Sequence, residues 1–88
     1  MTSESEQIRI VDNLGIMYKR ELKELILAQE DLTTRRRAEM LNENREASYQ
    51  VYRASCRVRQ AKSKLKTTGT MYRHEQVRLQ KILYENFY

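Results

Sequence analysis

The chain has no proline and no tryptophan, and its 88 residues include two glycines, Gly15 and Gly69, one cysteine and one histidine. Each scarcity removes a class of structure. A sheet protein of this size needs several tight turns, and turns draw on Gly, Pro, Asn and Asp. One cysteine, Cys56, cannot form an internal disulfide and gives no sign of a secreted, cross-linked scaffold. The longest purely apolar run is Leu25-Ile26-Leu27-Ala28, far short of the roughly 20 residues that cross a bilayer. The start, through Gln7, is acidic and polar and does not read as a secretory signal. The expectation is a soluble, cytoplasmic chain with no membrane contact.

What remains is charge and helix formers. A third of the residues are charged, so one domain is the most that fits, and it cannot bury a large core. Small folds of this kind lean on disulfides, metals or association. Association is the option left, with itself as a homodimer or larger oligomer, with another protein, or with both. Arg, Lys, Glu, Gln, Leu and Ala favour helix. The predicted class is all-α: a coiled-coil helical hairpin in an oligomeric bundle.

Ser3-Glu4-Ser5-Glu6 has the form of a capping box, so a helix is predicted from about residue 4 to 41. Apolar residues recur along it at Val11, Leu14, Tyr18, Leu22, Leu25, Ala28 and Leu32, at helical spacings of three and four. Asn42-Glu43-Asn44 is the predicted helix–helix turn, since Asn both caps and terminates helices. The alternative site is Thr33-Thr34.

The second helix, from about 45 to 66, carries an unbroken heptad: Ala47, Val51, Ala54, Val58, Ala61 and Leu65. One core position is always alanine, which lets a partner helix approach closely, and the seam is predicted to face a helix of the same chain or of a second copy. Thr67-Thr68-Gly69-Thr70 is the one cluster of helix breakers. It predicts a loop or bend, with a short third helix over about 71 to 87, although the heptad register runs on through Thr68, Tyr72, Glu75, Leu79 and Ile82.

The net charge of +5 is unevenly placed. Met1 to Leu32 holds four Lys or Arg against seven Asp or Glu, and Thr33 to Tyr88 holds thirteen against five. The basic residues Arg35, Arg36, Arg37, Arg45, Arg53, Arg57, Arg59, Lys62, Lys64 and Lys66 are candidate contacts to an acidic partner or to phosphates. The simpler expectation is that they form a solvated face paired with Glu21, Glu24, Glu30 and Asp31 of the first helix. Tyr49, Tyr52, Tyr84, Phe87 and Tyr88 are candidate partner-binding residues, because exposed aromatics favour interfaces. The outward f positions of the second helix (Tyr49, Cys56, Ser63, Thr70, Val77 and Tyr84) carry no charge.

No reaction chemistry is encoded by these residues. Cys56 and His74, the only soft metal ligands, would lie about 27 Å apart on one helix, and a zinc site needs four ligands. No phosphate-cradling glycine loop and no nucleophile–base set is present. The predicted role is non-enzymatic, with no cofactor and no metal: a protein-binding module of the adaptor, chaperone or inhibitor type. A nucleic-acid-binding accessory protein and a structural self-assembly protein are the alternatives. Short helical adaptors, secretion chaperones and virus-encoded inhibitors share this composition, and the likeness goes no further.

Overall fold

The computed structural model describes residues 3–87. Two helices, α1 (Glu4–Leu41) and α2 (Arg45–Phe87), form an antiparallel hairpin 65 Å long and about 15 Å across. The Ser3 hydroxyl accepts the Glu6 backbone N–H at 3.2 Å and so caps α1. Residues 42–44 make the turn. The Asn42 N–H returns to the Ala38 carbonyl, and the Asn44 side chain accepts from the Ala47 N–H at 2.7 Å. The first Asn thus closes one helix and the second opens the next. The rival turn site is used otherwise: the Thr33 and Thr34 hydroxyls donate to the Gln29 and Glu30 carbonyls within an unbroken helix.

Both helices bury one seam with strict three–four spacing. On α2 the seam runs Ala47, Val51, Ala54, Val58, Ala61, Leu65, Thr68, Tyr72, Glu75, Leu79 and Ile82, all buried or half-buried. On α1 it runs Gln7, Val11, Leu14, Tyr18, Glu21, Leu25, Ala28, Leu32, Arg35 and Glu39. The centre is the cluster of Leu25, Ala28 and Val58, with Leu32, Ala61 and Leu65 packed against it. Writing Val11 and Val51 as position a, every seam residue is an a or a d. Leu22, expected on the α1 stripe, is 38% exposed. Spacing 18–21–25–28 keeps the seam in step with α2, whereas 18–22–25 does not, so Glu21 takes the inward place and Leu22 falls beside it.

The break expected at residues 67–70 does not form, and α2 is one helix of 43 residues. The Thr67 and Thr70 hydroxyls donate to the Ser63 and Lys66 carbonyls, four residues back, so neither serves as a cap. Gly69 keeps negative φ. Its absent side chain is filled from the other helix: a Cβ there would stand 3.2 Å from Tyr18 Cε2. Gly15 does the same for Tyr72, at 3.1 Å from Oη and 3.2 Å from Cε2. The two rings meet edge to face, with centroids 6.0 Å apart and planes at 89°. Each glycine costs its helix about 1 kcal/mol of propensity, and each makes room for a tyrosine of its partner. An edge-to-face pair is worth roughly 0.5–1.5 kcal/mol beyond its burial.

Candidate functional site

The seam itself contains polar groups that periodicity alone conceals. Gln7 is 0% exposed. Its Nε2 donates to the Glu75 carbonyl at 2.9 Å and to Glu75 Oε2 at 2.7 Å. Two acceptors require the amino end of the amide, so Oε1 is turned away and has no partner. Glu21 Oε2 is likewise buried without a partner. Near the turn a chain of bonds crosses the helices: Arg35 Nε donates to Asp31 Oδ2 at 3.2 Å, Arg35 Nη1 to Gln50 Oε1 at 3.0 Å, and Gln50 Nε2 to Glu46 Oε1 at 2.9 Å. Arg35 is therefore tied across the hairpin with its side chain still half-exposed, and only Arg36 and Arg37 of the triple-arginine run point fully outward. Gln7 and Glu21 could have been found by extending the Leu14–Tyr18 spacing strictly in both directions along α1, whereas Glu75 already stands in the heptad register of α2.

The expected pairing between the acidic residues of α1 and the basic residues of α2 is not formed. Among the described residues the ion pairs are Arg35–Asp31 and Arg78–Glu75, each within one helix. Arg53, Arg57, Arg59, Lys62, Lys64 and Lys66 have no carboxylate of the described residues within 4 Å, and Arg53 lies over the Tyr49 ring at 5.9 Å. Between Ala47 and His74 the helix holds seven Lys or Arg and no Asp or Glu. Seven cations on one rod, without counter-charges beside them, form an unneutralised surface.

The long sides of the hairpin differ. One side shows the a, e and b positions of both helices, and there Tyr18 meets Gly69 and Tyr72 meets Gly15. A groove of about 520 Å³ opens on this side, floored by Tyr18, Leu25, Leu65 and Tyr72 and rimmed by Lys62, Lys66 and Arg73. The other side shows d, g and c positions, where Asp31, Arg35, Arg53 and Arg57 share a second groove.

The aromatic candidates do not form one patch. Tyr49 and Tyr52 are exposed near the turn, and Tyr84 and Phe87 are exposed at the far end. About 50 Å of helix separates them. Tyr88 lies outside the described residues. Cys56 is half-buried and unbridged, and no three His, Cys, Asp or Glu side chains gather as a metal-holding group among the described residues. No helix of the described residues is long and apolar enough to cross a membrane.

No family model matches the chain, and comparison with curated proteins and with solved structures finds no match.

Proposed function

We propose that the chain is a small non-enzymatic binding module, of the adaptor, chaperone or inhibitor type, that docks as a preformed helical hairpin on a larger protein. The carrying observation is the apolar surface that the hairpin leaves uncovered. Ile8, Ile16, Met17, Leu22, Ile26 and Leu27 are all exposed along α1, while the buried apolar core is only Leu14, Leu25, Ala28, Ala54 and Val58. More large apolar side chains face outward than inward. Exposed apolar groups at this density mark interaction sites, and a hairpin with so small a core gains stability from anything that covers them.

The test places a photo-crosslinking amino acid at Ile26 and, separately, at Arg20. The products formed in cells are then examined with and without nuclease. The reading expects one protein crosslinked in fixed ratio from position 26, resistant to nuclease and lost in an Ile26→Ser/Leu22→Ser background with the probe moved to Lys19. Crosslinks only to a second copy of the chain would replace this reading with self-assembly.

A second reading, binding to nucleic acid, is favoured by the seven unneutralised cations between Arg53 and Arg73. Phosphate binding must weaken steeply with salt, with a log–log slope of about −0.9 per phosphate contact. A shallow slope on DNA and RNA removes it.

A further inference from the structure

The charge is asymmetric in a way that specifies a partner. At the e and b positions of both helices stand Lys19, Arg36, Arg45, Arg59, Lys62, Lys66 and Arg73, against a single carboxylate, Asp12. At the g and c positions stand six cations against five carboxylates, so that side is nearly neutral. The a–e–b side is also divided lengthwise. Its α1 edge carries the exposed apolar residues Ile8, Leu22, Ile26 and Met40, with Lys19 and Arg36 among them, and its α2 edge carries the other five cations. Between them runs the groove whose rim is Lys62, Lys66 and Arg73.

We propose that this groove receives an amphipathic helix of another protein, which packs its apolar stripe on Leu22 and Ile26 and sets its carboxylates against Arg59, Lys62, Lys66 and Arg73. The proposal rests on the protein-binding reading above and names the partner's chemistry. A third helix laid in the groove between two others is the ordinary way a hairpin becomes a bundle, and charges at the flanks of such a seam set partner choice. The antiparallel alignment, with Tyr18 beside Gly69, puts Leu22 and Ile26 across from Lys62 and Lys66, so one helix touches both edges at once. A second copy does not fit this place. The outward e, b, f and c positions of α1 hold more cations than carboxylates and those of α2 are strongly basic, so two copies would meet with like charge. Nucleic acid would satisfy the cations and leave the apolar edge uncovered. An anionic membrane would need a continuous apolar strip, and Lys19 and Gln29 interrupt this one.

The probe is a designed helix of about 21 residues, or six turns, with leucine along one heptad seam and glutamate on both flanks. Its control has lysine in place of every glutamate. Binding to the full chain is measured by fluorescence anisotropy, beside a duplex DNA and vesicles containing phosphatidylserine. The glutamate helix is expected to bind one to one and the lysine helix at least roughly tenfold more weakly. Arg59→Glu/Lys62→Glu/Lys66→Glu is expected to reduce glutamate-helix binding about tenfold or more, and Leu22→Ser/Ile26→Ser to reduce it as well. Arg53→Glu/Arg57→Glu/Lys64→Glu, on the opposite side, should leave it within about twofold. The charge-reversed positions are all exposed, and helicity by circular dichroism checks that each variant folds. Failure of the glutamate helix to bind, or equal binding of both helices, overturns the proposal. So does loss through the opposite-side variant alone, but that result leaves the protein-binding reading standing. If neither helix binds and the duplex or the vesicles do, through the same cations, both readings fall together.

Discussion

The interlocked glycines and tyrosines allow a test in which one substitution changes its effect with its neighbour. Gly15→Ala should by itself favour helix by about 1 kcal/mol, since glycine is that much poorer than alanine inside a helix. In the native hairpin the new methyl would meet Tyr72 Oη, Cε2 and Cζ at 3.1, 3.2 and 3.3 Å. The ring must then move by a few tenths of an ångström, away from its edge-to-face position on Tyr18. Overpacking of this kind costs about 1–3 kcal/mol. The expected net effect runs from neutral to about 2 kcal/mol destabilising. In a Tyr72→Leu background the three colliding atoms are gone while the seam position stays apolar. There Gly15→Ala should stabilise by about 1 kcal/mol, a rise in Tm of about 4–8 °C for a chain of this size. Thermal unfolding by circular dichroism on the four chains of this cycle gives the coupling energy, expected at about 1–3 kcal/mol. Equal effects of Gly15→Ala in both backgrounds would refute the interlock, because a free glycine has no reason to sense residue 72.

Three other outcomes follow from the seam. Glu21→Leu should stabilise the hairpin by about 1–3 kcal/mol, because it removes a buried carboxylate oxygen without a partner and adds an apolar group at a d position. A lower Tm would show that Glu21 makes a contact in solution that this geometry lacks. Gln7→Ala should cost about 1–3 kcal/mol through the two bonds to Glu75, and denaturant titration measures it; an unchanged midpoint would mean that the open end does not hold the hairpin. Ala54→Leu should cost about 1–3 kcal/mol by overpacking a residue only 4% exposed, and a melt at or above wild type would mean that the helices are not close there.

The fold was readable where apolar residues alone occupy the seam. Ala47 to Leu65 repeats without interruption, and Asn42 and Asn44 mark the turn with side chains suited to end and start a helix. The reading weakened where polarity and position disagree. Leu22 looks like the seam residue and Glu21 does not, yet the three–four count places Glu21 inside, because register is set by the whole helix and hydrophobicity by one residue. Gly69 and its threonines looked like a break because glycine lowers helix propensity whatever it faces. The ring that fills its place comes from Tyr18, 51 positions away, and such a neighbour is invisible to local pattern. The interaction surface was the least readable part. The cations were evident, but their lack of partners is a fact of distance. Arg35 differs from Arg36 and Arg37 only by its angle on the helix.

The bonds that cross the hairpin also set an order of assembly. Arg35 and Gln50 are 15 residues apart in the chain, Gln7 and Glu75 are 68 apart, and Glu4 and Asn86 are 82 apart. Closing the longer loops from scratch costs only about 1.5 kcal/mol more than closing the shortest, but each pair becomes nearly free once the pair below it is formed. Zipping should start at Asn42–Asn44 and reach the open end last, so amide exchange should be fastest in the turns around Gln7 and Glu75. During synthesis, at about 5–20 residues per second, Gln7 waits roughly 3 to 14 seconds for the residue that satisfies it. For about the first half of that interval α1 is itself still being made, and in the second half α2 covers it from the turn outward, so the turns around Gln7 are the last to lose their exposed apolar seam.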